Sequence, residues 1–143
     1  MNLLLVIAML FSLTGDHWQF DFEQAKVEAA TQGKHVLIYF SGSDWCKPCI
    51  QLKSEVMEDP TFLEFANEEF VMVLADFPRR KKNKLTDAQT AHNEALAEKY
   101  NLQGYFPLIV VTDHEGNVVG RTGFERIGVE DYIKRFTEML HGS

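Results

Sequence analysis

Cys46 and Cys49 are the only cysteines in the 143-residue chain, and two residues separate them. Thiols at this spacing support two kinds of chemistry: reversible disulfide formation, or half of a tetrahedral metal site. A structural staple is a poorer explanation, because closing so short a loop removes little entropy from the unfolded chain. The pair therefore predicts either a redox centre or part of a metal ligand set.

A zinc site needs ligands beyond this pair, and the sequence offers none at a recognisable spacing. The chain has no second C-x-x-C pair and no two histidines separated by three to five residues. Its five histidines are scattered and are more simply explained as surface residues: His17, His35, His92, His114 and His141. The sequence thus favours redox chemistry, and it predicts neither a metal site nor a cofactor.

The two thiols differ in their predicted surroundings. Cys46 falls at the start of a helical pattern, where free N–H groups and the helix dipole favour a thiolate, and Lys47 adds a positive charge beside it. Cys49 lies on the apolar stripe that Leu52 continues, so we expect it to be buried. Pro48 suits the first helical turn, where its missing N–H costs no hydrogen bond. We therefore predict that Cys46 attacks a substrate disulfide and that Cys49 resolves the mixed disulfide.

The elements around this motif must hold it at the end of a buried strand. The apolar run Val36–Phe40 leads into it, and the helical pattern Ile50–Met57 leads out of it. A run without alternation predicts a strand buried on both faces. Similar patterns predict strands at 17–22, 70–76, 108–112 and 118–122, and helices at 22–32, 61–67, 86–100 and 128–141. On the helix at 86–100 the predicted inward residues are Ala88, Ala91, Ala95 and Leu96.

This alternation of strands and helices predicts an α/β fold. Strands joined through helices imply right-handed parallel crossovers, and the final hairpin at 108–122 adds an antiparallel edge. The result is a mixed central sheet with helices on both faces. A chain of this length, 45% hydrophobic, is large enough to bury a core of its own.

The chain is acidic overall but contains one cluster of basic residues. A formal charge of −7 argues against nucleic acid, because binding phosphates needs a basic face. Five basic residues nevertheless cluster within positions 79–84. We predict a solvated loop there, and the alternative is a surface that docks an acidic partner.

The N-terminus carries an unbroken apolar run from Leu3 to Phe11. It is shorter than the roughly 20 residues that a membrane-spanning helix needs, and it fits the apolar region of a secretory signal peptide. We therefore expect a signal segment at 1–15, a mature domain at 16–143, a periplasmic or otherwise extracytoplasmic location, and no stable membrane insertion. No Lys or Arg precedes Lys26 and no A-x-A site follows the run, so a buried strand or helix and a mis-assigned start are the alternatives.

The sequence Trp45–Cys49, placed after a buried strand, resembles the active site of the thioredoxin superfamily. The resemblance extends from about Trp18 to Leu140. It is strongest to extracytoplasmic thioredoxin-like proteins, those related to the C-terminal domain of the DsbD reductase and the DsbH-type proteins. Four stretches carry it besides the dithiol: Gly33-Lys34, Phe40–Asp44, Asp76-Phe77-Pro78 with the polar insertion and helix that follow, and Arg121–Glu125.

This resemblance implies a thioredoxin fold and a thiol-disulfide oxidoreductase that reduces protein disulfides through Cys46 and Cys49. It also implies that Pro107 is a cis-proline facing the dithiol, that the backbone of Phe106 pairs with the substrate chain, and that Trp45 helps to form the substrate groove. The implied partners are a disulfide-bonded protein and an upstream thiol electron donor. We expect the chain to act as a monomer.

Two positions depart from the thioredoxin pattern. Tyr39 stands where thioredoxins carry a buried aspartate that is thought to accept the proton of the resolving thiol. An intact tyrosine is a poor base near neutral pH, since its ordinary pKa is about 10. Asp44, Glu55 or water would have to replace it. The segment Gly104–Pro107 has one residue more between glycine and proline than the common pattern, so partner choice is expected to differ.

The residues between the cysteines bear on the direction of exchange. C-K-P-C resembles the reducing thioredoxin motif C-G-P-C more than the histidine-containing dipeptides of oxidases and isomerases. Lys47 acts the other way, because stabilising the thiolate favours the reduced protein and makes the couple more oxidising. We predict a reductase. The alternatives are a disulfide oxidase or isomerase, a peroxidase-like use of Cys46, and a non-catalytic binding module with the same fold.

Overall fold

The computed structural model describes residues 17–142, which form a five-stranded mixed sheet with helices on both faces. The strands are β1 (Trp18–Gln19), β2 (His35–Ser41), β3 (Phe70–Asp76), β4 (Leu108–Thr112) and β5 (Val118–Gly123). The helices are α1 (Phe22–Gln32), α2 (Lys47–Leu52), α3 (Pro60–Glu69), α4 (Asp87–Tyr100) and α5 (Val129–Leu140). The predicted α/β class, with its mixed central sheet, is confirmed.

Strand β2 lies at the centre of the sheet, whose order is β1-β3-β2-β4-β5. Its continuous apolar run is buried on both faces, as predicted. Leu37 and Tyr39 contribute to the core under α3 and α5. Val36, Ile38 and Phe40 contribute to a second core under α1 and α4.

The direction of β4 differs from the prediction. β2 and β3 are parallel, as a helical crossover requires, but β4 follows α4 and runs antiparallel to β2. In that register Leu108, the first residue of β4, pairs with Phe40 near the end of β2. The start of β4, and with it Pro107, therefore lies beside the C-terminal end of β2, where the dithiol follows. A parallel β4 would have placed Pro107 beside the N-terminal end of β2.

The helix after the dithiol changes its hydrogen bonding part-way. α2 ends at Leu52 and a π-helical turn continues from Lys53 to Met57, so the predicted helix to Met57 is present but not α-helical throughout. The predicted inward stripe is confirmed: Cys49, Leu52 and Val56 are all buried.

The predicted inward face of α4 is wrong except for Leu96. Ala88, Ala91 and Ala95 are exposed, and the helix instead buries Asn93, Leu96 and Tyr100. Asn93 donates to the carbonyl of Asp76, and Tyr100 donates to that of Gly116. Those side chains satisfy backbone groups of the neighbouring strand and turn, which an alanine face has no means to do.

The predicted signal segment lies outside the described residues. Within residues 17–142, no helix has the length and apolar character needed to cross a membrane.

Candidate active site

A disulfide bond joins Cys46 and Cys49, with Cα atoms 5.2 Å apart. Cys46 is the N-cap of α2, and its Sγ accepts a hydrogen bond from the backbone N–H of Cys49 at 3.3 Å. Cys46 retains 5% exposure, whereas Cys49 is fully buried. The geometry thus gives the first sulfur a nearby N–H donor and the only remaining access to solvent.

The turn before the dithiol is tight and depends on Gly42. The backbone N–H groups of Trp45 and Cys46 both donate to the Gly42 carbonyl, at 3.2 and 2.8 Å. The indole of Trp45 folds back over the same glycine. A Cβ at position 42 would lie 2.3 Å from the ring, so only glycine fits without displacing the tryptophan.

Trp45 is enclosed by residues from two distant parts of the chain. Its Nε1 donates to the carbonyl of Phe77 at 2.7 Å, and its ring meets that of Phe106 edge-on, with centroids 5.4 Å apart. The guanidinium of Arg79 lies over the ring, 3.8 Å from its centroid. The indole therefore links the dithiol turn to the loop after β3 and to the residue before Pro107.

Two carboxylates fasten the dithiol turn to that loop. Asp76, at the end of β3, accepts hydrogen bonds from the backbone N–H and the hydroxyl of Ser43. Asp44 accepts from the backbone N–H groups of Arg79 and Arg80 and from the side-chain amide of Asn83, each at 3.0 Å. These donors, the Arg79 amide foremost, lower the pKa of Asp44 to about 2. Asp44 is thus an ionised clamp and is unsuited to accept a proton near neutral pH.

Tyr39 lies beneath the dithiol with no exposure to solvent. Its hydroxyl donates to the Cys49 carbonyl at 2.6 Å. Burial raises the pKa of Tyr39 above its ordinary value, so the phenol stays neutral and acts as a donor. The third residue considered as a proton acceptor, Glu55, is exposed and accepts from the Gln51 side chain.

The strand start beside the dithiol has a distinct backbone. The Phe106–Pro107 peptide bond is cis, Pro107 is buried and Phe106 is half-buried. The segment before it is held by the Asn101 side chain, which donates to the Tyr105 carbonyl at 2.8 Å and accepts from the Tyr105 N–H at 2.9 Å. The longer Gly104–Pro107 segment is therefore tied to the end of α4.

The predicted site residues come together, with two of them on the surface. Trp45 and Phe106 touch, whereas Lys47 and Pro48 are exposed on the first turn of α2. The sequence analysis missed the roles of Asp44, Asp76 and Arg79. The sequence did mark the three residues individually: Asp44 and Asp76 lie in stretches that carry the family resemblance, and Arg79 lies in the basic cluster at 79–84. It gave no sign that they contact one another.

Among residues 17–142, no group of three or more His, Cys, Asp or Glu side chains is arranged to hold a metal ion.

The strand order, the buried dithiol after the central strand and the proline at the neighbouring strand define a thioredoxin fold carrying a redox-active cysteine pair. A protein of that class is a thiol-disulfide oxidoreductase. Residues 17–113 match the sequence profile described as thioredoxin-like, and the chain belongs to this family.

Within this family the chain is similar to DsbH and to the C-terminal domain of DsbD. The disulfide bond reductase DsbH of Chlamydia pneumoniae is 32% identical over 123 residues, which cover 86% of this chain and 72% of DsbH. A solved structure of a DsbH oxidoreductase superposes with a TM-score of 0.80 at 29% identity, covering 88% of this chain and 85% of the other. The oxidised C-terminal domain of DsbD from Neisseria meningitidis shares the fold, with a TM-score of 0.54, 18% identity and coverage of 80% and 89%.

Proposed function

We propose that this protein reduces disulfide bonds in other proteins, with Cys46 as the attacking thiol and Cys49 as the resolving thiol. The observation that carries the assignment is the asymmetry of the pair: Cys46 is partly accessible and faces an N–H donor, whereas Cys49 is sealed in the core. The likeness to a protein named as a disulfide bond reductase supports the reducing direction.

The reaction begins with the reduced pair. The Cys46 thiolate attacks one sulfur of the substrate disulfide, a mixed disulfide forms, and the other substrate sulfur leaves as a thiolate that takes up a proton. The Cys49 thiolate then attacks the Cys46 sulfur and releases the second substrate thiolate. The Cys46–Cys49 disulfide is left, and two electrons have passed to the substrate. An upstream thiol donor restores the reduced pair by the same two steps in reverse.

The backbone N–H of Cys49 stabilises the Cys46 thiolate as the attacking group in substrate reduction, and as the leaving group when the upstream thiol donor restores the reduced pair. Cys49 must lose its proton before it attacks. Since Tyr39 is a neutral donor and Asp44 is already occupied, we assign the proton to water that enters as the mixed disulfide forms. Resolution in this protein is then governed by access of water rather than by a buried carboxylate.

The substrate chain is proposed to lie across Trp45 and Phe106, with the Phe106 backbone pairing with it beside Pro107. The contact between the two rings supports this placement, because it forms one continuous aromatic surface at the dithiol. Lys47 and Pro48 are exposed on the first turn of α2, directly after Cys46, and are proposed to contact the same substrate chain.

We further propose that the mature protein, residues 16–143, works as a monomer outside the cytoplasm, without nucleic acid and without stable membrane insertion. The apolar run Leu3–Phe11 supports export. Sequencing the N-terminus of the protein made in its own cells tests this, and a mature chain that still begins at Met1 would contradict it.

Two measurements test the function together. The reduced protein is incubated with insulin, and precipitation of the released chains reports reduction. Its Cys46–Cys49 couple is also equilibrated against glutathione. We expect insulin reduction and a potential more reducing than the glutathione pool. A more oxidising potential would favour the oxidase or isomerase, and loss of insulin reduction with an intact couple would favour a binding module.

A further inference from the structure

The segment 79–84, which we call the basic loop, concentrates positive charge beside the dithiol of an acidic protein. Five of the 14 basic residues of the chain lie in these six positions, while the whole chain carries a formal charge of −7. All five side chains are exposed. No carboxylate of residues 17–142 lies within ion-pair distance of any of them.

Hydrogen bonds hold the basic loop against the turn that carries the dithiol. Asp44 receives three hydrogen bonds from it, through Arg79, Arg80 and Asn83. A short 3-10 turn at Lys81–Asn83 shapes the remainder. Because Asp44 stands two residues before Cys46, the same contacts fix the position of the basic loop relative to the dithiol.

The basic loop also borders an apolar surface. Arg79 stacks on Trp45, and Trp45 meets Phe106, so cationic and aromatic groups are continuous across this face. Between the basic loop and α4 lies a cleft of about 340 Å³ with Phe77 and Leu85 in its lining. Two carboxylates, those of Asp76 and Glu94, also line the cleft, and Asp76 already accepts hydrogen bonds from Ser43. The face thus offers an apolar floor with a cationic rim.

We infer that the basic loop docks an acidic segment of the protein whose disulfide is exchanged at Cys46, an inference that rests on the proposed function. The net negative charge of the protein repels an acidic partner, whereas the concentrated positive charge of the basic loop attracts one, so the loop both recruits the partner and orients it. A protein segment suits the position better than a membrane does. The loop opens beside a site for protein disulfides and adjoins a cleft in which an apolar side chain fits.

The test uses three synthetic peptides that contain the same intrachain disulfide. The flanking residues are glutamate, glutamine or lysine. The fully reduced protein is mixed with each oxidised peptide, and the second-order rate constant is taken from the tryptophan fluorescence change. We expect the glutamate peptide to react roughly tenfold faster than the glutamine peptide at low ionic strength, with the lysine peptide slowest. The ratio should approach one near 1 M salt, where the Debye length is about 3 Å.

Two matched variants locate the effect. Lys81→Gln/Lys82→Gln removes two charges from the basic loop, and Lys99→Gln/Lys134→Gln removes two exposed charges elsewhere. The first variant should lower the glutamate-to-glutamine rate ratio by roughly threefold at low salt. The second should leave that ratio as in the wild type. An equal ratio for the two peptides, or an equal loss in both variants, overturns the inference.

Binding without chemistry separates this inference from the proposed function. Labelled peptides with serine in place of both cysteines are titrated with the oxidised protein, and fluorescence anisotropy is recorded. We expect salt-sensitive binding of the glutamate peptide that weakens in Lys81→Gln/Lys82→Gln. Binding to vesicles of anionic lipid with no binding of the glutamate peptide would overturn the docking inference. If the reduced protein fails to reduce the disulfide-containing glutamine peptide of the rate experiment, the proposed function fails whatever the docking result.

Discussion

The hydroxyl of Tyr39 donates a 2.6 Å hydrogen bond to the carbonyl oxygen of Cys49, directly beneath the disulfide. Both groups are fully buried, so this bond is the means by which the tyrosine oxygen is satisfied in the core. The phenol thereby holds the backbone of the resolving cysteine from below. A residue that donates in this way supports the position of Cys49 and takes no proton from it.

Tyr39→Phe should therefore destabilise the protein with little effect on the chemistry of exchange. Removing the hydroxyl deletes one buried hydrogen bond and leaves the Lys53 N–H as the remaining donor to the Cys49 carbonyl. The loss of that bond costs about 1 kcal/mol in the free energy of unfolding. Tyr100→Phe is a matched control, because Tyr100 makes an equivalent buried bond to the Gly116 carbonyl. Urea unfolding should show similar losses for both variants. A large drop in the rate of insulin reduction for Tyr39→Phe alone would instead make Tyr39 part of the reaction.

Stability should also depend on Tyr39 at alkaline pH. Burial raises the pKa of Tyr39 in the folded state above the unfolded value of about 10. Its contribution is therefore complete below pH 10 and is lost as the pH rises, because the unfolded chain ionises first. The loss approaches about 1.4 kcal/mol per pH unit for one such group. Between pH 9 and about 11 the free energy of unfolding should fall more steeply with pH for the wild type than for Tyr39→Phe. An equal pH dependence in the two proteins would contradict this.

Gly42→Ala should displace Trp45 from the dithiol. The added Cβ would lie 2.3 Å from the indole, so the ring must move or the turn must open. Overpacking of this kind costs about 1–3 kcal/mol. We expect a changed tryptophan fluorescence spectrum, a lower unfolding midpoint and slower insulin reduction. Gly128→Ala is the control, since nothing lies within 4 Å of its Cβ position. A wild-type spectrum for Gly42→Ala would contradict the displacement of the ring. A changed spectrum with a wild-type rate would show that the ring position does not affect insulin reduction.

Local patterns and distant contacts were not equally visible in the sequence. The strand β2 and the helix α1, with its end at Gln32, follow from neighbouring residues, and both were predicted. Asp44 accepts a hydrogen bond from Arg79, which lies 35 positions further along the chain, and no periodicity in the sequence marks such a pair. The direction of β4 likewise depends on how the chain returns from α4. The dithiol was predictable because its chemistry lies within four residues, whereas its supports lie across the sheet.

Asp44→Ala should release the basic loop while leaving the fold intact. The backbone amides of Arg79 and Arg80 lose their acceptor and face solvent, so their hydrogen exchange should accelerate at least about tenfold. Hydrogen-exchange mass spectrometry of the peptide covering the loop measures this. Asp59→Ala is the control, because Asp59 accepts from Thr61 at the start of α3 and should affect only that region.

The hydrogen bonds from the basic loop to Asp44 should also persist in mildly acidic solution. The hydrogen bonds hold the folded pKa of Asp44 at about 2, below its ordinary value, so its contribution is present above the unfolded pKa near 4 and is lost as the pH falls toward 2. Once exchange rates are corrected for the intrinsic effect of pH, protection of Arg79 and Arg80 should be the same at pH 7 and pH 4. Loss of that protection by pH 4 would contradict the role of the carboxylate.

Cys49→Ser should trap substrates through Cys46. Without the resolving thiol, the protein has no second thiolate to attack the mixed disulfide, and water is too weak a nucleophile to replace it. Non-reducing electrophoresis after incubation with insulin should show a covalent adduct, and mass spectrometry should locate it at Cys46. Cys46→Ser provides the comparison: Cys49 is fully buried on the inward face of α2 and should form little or no adduct. Equal trapping by the two variants would mean that both sulfurs reach substrate, and the division of labour drawn from their burial would be wrong.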